Sequence, residues 1–400
     1  MKRCVIWGTN ACGRQMAVEA KYLGYEVLAF CSSNAHSEVI DGFPVLSPSE
    51  LKEACARNEV DCIVLGMNRA SYIQEVTQQI SREFPANVQI LEKTSLENDY
   101  LASVTQSLSY KWDINYDLQI SEWVENLMSE VEYWVQEVAN PRGEAHWDYE
   151  ARMNNELFFG LTVPYQEERL DFTSALPSLE KALWDGAIVM DIGCGLAPLY
   201  GSRLPDFGQV KLFTIDPLAP FYNKINEKYS SRQTLRHSFG MFEFMANFFE
   251  RNYSDAIIIN NAMDHCIDPY KSLIECAYIL KPGGKLFLFH RRAEALYEGY
   301  SGLHKWNLDF DKSDFLIWNN ENAVNVSQEL KDILQVNVVH SSLSTPRENQ
   351  ILIVEITKTR DFQLEEFIDI SQERIQLASV IENIMSLAAS NLDYLEIQKG

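Results

Sequence analysis

The sequence predicts an α/β protein with two doubly wound domains, and three observations predict it. Short apolar runs alternate with helical stretches twice, first from residue 2 to about 91 and again from about 187 to 289. Each half opens in the same way, with a strand, a loop of small residues and a turn into helix. The loops are Gly8-Thr9-Asn10-Ala11-Cys12-Gly13 in one half and Asp191-Ile192-Gly193-Cys194-Gly195-Leu196-Ala197 in the other. Finally, 400 residues exceed what one ordinary core holds. The predicted division is 1–95 for the first domain, 96–149 for a helical linker, 150–357 for the second domain and 358–400 for a helical extension.

Composition narrows the class of partner. The chain is 46% hydrophobic and 23% charged, values of a globular protein, and its formal charge is -23. Such a balance argues against the phosphate backbone of nucleic acid and against an anionic membrane surface. Eight cysteines show no Cys-x-x-Cys spacing, so neither a zinc knuckle nor a redox dithiol is supported, and reduced buried thiols are expected. Apolar runs are short and no secretory pattern opens the chain, which places it in the cytoplasm.

In the first half, residues 2–7 read as a buried strand and Glu26 to Cys31 as the next. Further strands are expected at Asp61–Gly66 and Val88–Leu91, with a helix over 70–82. The glycine loop departs from G-x-G-x-x-G: Asn10 occupies the second glycine position and crowds the place of a pyrophosphate. The second strand ends in Cys31-Ser32-Ser33-Asn34, without the acidic residue that anchors a ribose. About 95 residues here resemble the Rossmann-like domain at the amino end of sugar-nucleotide acetyltransferases, which implies a nucleotide or nucleotide-sugar site; a scaffold that binds nothing is the equal alternative.

Between the halves, Ile120, Trp123, Val124, Leu127, Met128, Val131, Trp134, Val135 and Val138 recur every three or four residues, an amphipathic helix that Asn140-Pro141 stops. It is expected to pack the domains together or to lid a pocket. The run Trp147-Asp148-Tyr149-Glu150-Ala151-Arg152 offers polar groups to a ligand.

The second half starts with the apolar run Ala187–Met190, ended by Asp191. Val210–Ile215 is the next strand and carries Asp216 at its end, about 20 positions past the glycine loop, where a carboxylate suits two ribose hydroxyls. Strands follow at Thr234–His237, Asp255–Asn260 and Lys285–Phe289, a helix at Pro269–Leu280, and a late pair of strands near 335–340 and 350–356. A terminal hairpin distinguishes this sheet from that of a dehydrogenase, which continues in parallel.

With the Asp191-x-Gly193-x-Gly195 loop, Asp216, the Asp255–Pro269 block and Leu280-Lys281-Pro282-Gly283-Gly284, residues 150 to 357 resemble the class I S-adenosylmethionine-dependent methyltransferases. The resemblance implies a sheet ending in an antiparallel hairpin and S-adenosylmethionine as cofactor. It implies that Gly193 and Gly195 bring main chain against the methionine part, that Asp191 lies near its ammonium, and that Asp216 takes the ribose hydroxyls. Asn260 and Asn261 would lie beside the cofactor. The third strand is followed by no Asp for the adenine amino group, so Phe239 and main chain are expected to hold that ring. The segments His290-Arg291-Arg292 and Tyr300–Asn307, with Asp264–Pro269, resemble a bacterial subgroup linked to surface glycans, which implies a sugar or nucleotide-sugar acceptor.

Methyl transfer to a hydroxyl needs a base as the proton leaves, and imidazole titrates in the right range. His265 at the end of the fourth strand, His290 at the end of the fifth and His304 in the covering loop are the candidates, with Asp264 beside them. Asp264, His265 and Asp268 could form part of a magnesium site, but their spacing is no known metal signature and no metal is assigned. Arg291 and Arg292 could pair with acceptor phosphates, and Trp306 could stack on a sugar. The tail from Phe362 to Leu395 is helical in pattern and either packs on the 120–139 helix or makes a homo-oligomer contact. Two alternatives to methyl transfer stay open: a NAD- or nucleotide-sugar-dependent enzyme working from the first domain, and a binding protein that keeps the methyltransferase fold without its chemistry.

Overall fold

The computed structural model describes residues 1–33, 39–67, 69–140, 177–198, 201–202, 204, 208–229, 236–341 and 350–391. The run 147–152 lies outside them, as do Thr234, Leu235 and Pro346. The chain divides into two compact units, one of Met1–Leu108 with Ser342–Gln350 and one of Ser109–Ser341 with Ile351–Gly400.

The first unit is a six-stranded sheet of β1 (Arg3–Trp7), β2 (Glu26–Cys31), β3 (Val39–Ile40), β4 (Phe43–Leu46), β5 (Cys62–Leu65) and β6 (Gln89–Leu91), ordered β3-β4-β2-β1-β5-β6. All neighbours pair in parallel except β3 with β4. Its glycine loop is shaped by packing. A Cβ on Gly13 would stand 2.1 Å from the Gly8 carbonyl oxygen, so only glycine lets the helix Ala11–Tyr22 start against β1. The Asn10 side chain accepts from the Gly13 amide at 3.0 Å and caps that helix itself.

The second unit holds a seven-stranded sheet of β7 (Ile188–Ile192), β8 (Lys211–Asp216), β9 (Ser238–Phe239), β10 (Ser254–Asn260), β11 (Leu280–Arg291), β15 (Leu334–Ser341) and β16 (Ile351–Lys358). The order is β15-β16-β11-β10-β7-β8-β9, parallel from β9 to β11, with β16 antiparallel to both β11 and β15. Reversal of strand order beside β7 opens a crevice at its carboxyl end, the place where such sheets bind ligands. Central strands β7 and β10 are continuous apolar runs because both faces are covered; Met190, Ile257, Ile258 and Ile259 have no solvent exposure.

The third strand lies at Ser238–Phe239, after the expected 234–237. His237 is drawn aside, its amide donating to Asn223 Oδ1 at 2.9 Å, and pairing with β8 starts at Ser238. A feature absent from the sequence reading is a small antiparallel sheet of β12 (Asn307–Asp311), β13 (Asp314–Trp318) and β14 (Ala323–Asn325). The amphipathic helix spans Tyr116–Ala139, and Val380, Ile384 and Ala388 of the helix Ile370–Asn391 share its core cluster with Ile120, Trp123, Leu127 and Val131. Among the described residues no helix is long and apolar enough to cross a membrane.

Candidate active site

At the carboxyl end of β7 and β8 lies a cavity of about 210 Å³. Its wall includes Asp191, Gly193, Gly195, Asp216, Asn260 and Asn261, the positions singled out from the sequence. Gly193 has φ +69°, and a Cβ there would sit 2.6 Å from the Ala262 Cβ; Gly195, at φ +62°, faces open space. Left-handed backbone therefore carries the loop around while no side chain fills the cleft.

Asp216 is held rigidly. Its Oδ2 accepts from the Gly195 amide at 2.9 Å and its Oδ1 from the Leu218 amide at 2.8 Å, tying β8 to the glycine loop. Burial pushes its pKa up to about 7 against these two amides. Each oxygen keeps lone-pair capacity for a ribose hydroxyl. Asn261, at φ +47°, turns its side chain back so that Oδ1 accepts from the Arg291 amide at 2.9 Å, fastening β10 to β11 at the cavity rim.

His237 braces the loop from behind, a role with no local sequence signature. Its Nε2 donates to the Leu196 carbonyl at 3.0 Å, so that nitrogen carries the hydrogen. The other nitrogen then accepts, with Thr214 Oγ1 at 3.1 Å and Cys194 Sγ at 3.4 Å. Burial lowers its pKa and keeps the ring neutral.

A histidine cluster stands at the next strand tip. Asp264, with no exposure, accepts from His290 Nε2 on Oδ1 at 2.9 Å and faces His304 Nδ1 with Oδ2 at 2.6 Å. His265 Nε2 lies 3.1 Å from His304 Nδ1 and 3.8 Å from Asp264 Oδ1. The second nitrogen of His290 is 2.7 Å from the Arg291 carbonyl. Both of its partners are acceptors, so His290 carries two hydrogens and a positive charge. Burial opposes that charge, and Asp264 and Glu294 outweigh it, raising the His290 pKa; against its own burial, Asp264 is correspondingly held low by the His290 charge and by the hydrogen bonds of His290 and His304.

Of the three histidines only His265 lines the cavity. His290 does not reach the rim expected of it, because both nitrogens are engaged inside the protein. Phe239 is not in the wall either: it packs on Phe248 with ring centroids 5.9 Å apart, and Met241 and Phe242 take its place. Asp268 leaves the cluster to cap the helix Pro269–Ile279 and to accept from Tyr116. Arg292 is buried against Asp309, Arg291 pairs with Glu294, and Trp306 is core, stacked on Trp112 at 4.8 Å. The wall also contains Glu243, missed in the sequence; its Oε1 accepts from the amides of Ile267 and Asp268, and burial pushes it up to about 7. Trp123, Leu127, Glu130 and Trp134 of the helix Tyr116–Ala139 close the opposite side.

Comparisons with known proteins agree with this geometry. A family model described as a methyltransferase domain matches residues 190–288. Proteins named ubiquinone biosynthesis O-methyltransferase from Xanthomonas oryzae pv. oryzae and Xanthomonas axonopodis pv. citri are 33% and 35% identical over 121 residues, 30% of this chain and 47% of theirs. The chain thus spans about half the length of these curated relatives. Among solved structures, the PH0226 protein of Pyrococcus horikoshii OT3 is similar with a TM-score of 0.31 at 18% identity, covering 50% of this chain and 94% of that one. Sheet order, glycine loop and family match together define a class I S-adenosylmethionine-dependent methyltransferase domain. Its cofactor is S-adenosylmethionine, and the donor set fits: Asp191, Asp216, Glu130 and Glu243 surround the cavity of a cationic ligand.

Proposed function

We propose that this protein transfers a methyl group to a hydroxyl of a carbohydrate or nucleotide-sugar, with the histidine cluster receiving the proton. The observation that carries this reading is that His265 lines the same cavity as Gly195 and Asp216. The cofactor supplies a methyl on a positively charged sulfur; as the new C–O bond forms, the C–S bond breaks and sulfur keeps its electron pair. Positioning of acceptor and donor supplies much of the acceleration. His265 is the imidazole placed to take the hydroxyl proton, and Asp264 orients His304 behind it. Indole faces of Trp123 and Trp134 with the Glu130 carboxylate offer the mixture of apolar plates and acceptors that suits a sugar ring.

The first unit has a candidate ligand site of its own. A crevice of about 530 Å³ at the carboxyl ends of its strands is lined by Gly8, Asn10, Ser32, Arg69 and Tyr72, and we assign it to a nucleotide-sugar held by that unit on its own account. Asn10 is spent on its helix cap and no acid follows β2, which disfavours a dinucleotide. The test is a labelled-methyl assay over a panel of nucleotide-sugars, run beside calorimetry of S-adenosylmethionine binding. Label on a sugar oxygen supports the reading; cofactor binding without transfer to any sugar overturns it.

A further inference from the structure

We propose that Asp264, His265 and His304 form a divalent-cation site, with zinc the best-matched ion. The inference rests on the same cavity as the proposed reaction and deepens it by naming what the histidine cluster holds.

Three donor atoms converge in a small triangle. His304 Nδ1 is 2.6 Å from Asp264 Oδ2 and 3.1 Å from His265 Nε2, and His265 Nε2 is 3.8 Å from Asp264 Oδ1. Hydrogen alone satisfies this arrangement poorly. If His304 Nδ1 donates to Asp264, its single N–H is used and His265 Nε2 faces it unserved. If His265 donates to His304 instead, the lone pairs of His304 Nδ1 and the carboxylate confront each other at 2.6 Å. A cation at the centre serves all three.

The dimensions agree. Zinc bonds of about 2.0–2.2 Å in a tetrahedral array set ligand-to-ligand edges near 3.3 Å. The 3.1 Å edge lies close to that value, the 2.6 Å edge opens by well under 1 Å, and the third, from His265 Nε2 to the carboxylate, falls within the 4.8 Å that spans the three ligand atoms. Two imidazoles and one carboxylate favour zinc or a neighbouring transition ion over magnesium, which takes oxygen ligands. The outer partners are also in place: Asp264 keeps Oδ1 for His290 Nε2 at 2.9 Å while Oδ2 faces the triangle, and His290 is fixed by the Arg291 carbonyl. Access is open, since the side chains of His265 and His304 are 23% and 26% exposed while Asp264 is fully enclosed. Three protein ligands leave a fourth position, as catalytic sites do, and His265 sets the ion at the cavity margin. With the ion bound, His265 would be a ligand rather than the base; the ion would lower the pKa of an acceptor hydroxyl at the fourth position, whose proton would leave to solvent water before methyl transfer.

The test uses the full chain, freed of affinity tag and dialysed against zinc. Elemental analysis is expected to give one zinc per chain, and cobalt exchanged for it a visible tetrahedral absorption band. His265→Ala and His304→Gln should each weaken zinc at least tenfold while keeping the far-ultraviolet circular dichroism, and His304→Gln, which lies outside the cavity wall, should also keep the calorimetric affinity for S-adenosylmethionine. Asp216→Ala should do the reverse, keeping zinc and losing the cofactor, so that failure of the metal site is told apart from failure of the methyltransferase reading. A wild-type chain that leaves dialysis without zinc, or a stoichiometry that neither histidine variant changes, overturns the proposal.

Discussion

His290 and Asp264 form an ion pair that solvent does not reach, Nε2 to Oδ1 at 2.9 Å with both side chains fully enclosed. Removing His290 leaves Asp264 Oδ1 without its buried partner, with His304 still on Oδ2. His290→Ala is expected to cost about 1–3 kcal/mol of stability, the penalty of a buried acceptor left unsatisfied. Chemical denaturation measures it, and a loss under 1 kcal/mol contradicts the charged state derived for His290.

Asp216 governs cofactor affinity. Losing the acceptor for two ribose hydroxyls should raise the dissociation constant for S-adenosylmethionine roughly 10- to 100-fold in Asp216→Ala. Calorimetry reads this directly, and unchanged affinity places the cofactor elsewhere.

The same residue makes binding depend on pH. Asp216 is pushed up to about 7 by burial in the ligand-free protein. Ribose hydroxyls donate to the ionised form, so binding expels the proton below that value and affinity should climb from pH 6 to pH 8, then level off. In Asp216→Asn the contribution vanishes, and a wild-type curve parallel to that variant's rejects the assignment.

Glu275 ties stability to pH in the opposite sense. It is pushed up to about 8, chiefly by burial and by Glu373, while its Oε2 accepts from the Ala246 amide. A carboxyl whose folded pKa is raised contributes stability below its ordinary value near 4.5, and that contribution fades as pH climbs through 8. Glu275→Gln keeps the amide contact without the charge. Its melting temperature at pH 9 should exceed that of wild type by roughly 2–4 °C, with the difference shrinking at pH 5.

His237 acts on the cofactor only through the glycine loop. His237→Phe should destabilise the unit by about 1–3 kcal/mol, because Thr214 loses its ring partner and the Leu196 carbonyl keeps only Asn226. Cofactor affinity should fall with it, and an intact affinity at full occupancy of the folded state removes the bracing role.

Much of the second unit's sheet could be read from the chain because β7 and β10, buried on both faces, leave uninterrupted apolar runs, and because Asp191, Gly193, Gly195 and Asp216 follow at fixed intervals. What escaped reading depends on direction in space. Phe239 is aromatic and adjacent, but the pleat of β9 sends it to Phe248, away from the cavity. Glu243 is masked within Phe242-Glu243-Phe244, where a single acid among aromatics was the available hint. Strand ends and a covering loop suffice to group residues 264, 290 and 304, but that His290 and His304 meet on the two oxygens of one carboxylate has no sequence spacing to announce it. The small sheet of β12–β14 carries Asp309 and Asp314, which blur the apolar alternation of a strand.

The helix Tyr116–Ala139 precedes every strand of the methyltransferase sheet, yet its Trp123 and Trp134 roof the cleft. Glu130 of the same helix also faces the cofactor cavity, so one upstream stretch of polypeptide bears on both reactants. An engineered chain that exchanged it for another would disturb the grip on the donor together with any contact to the acceptor.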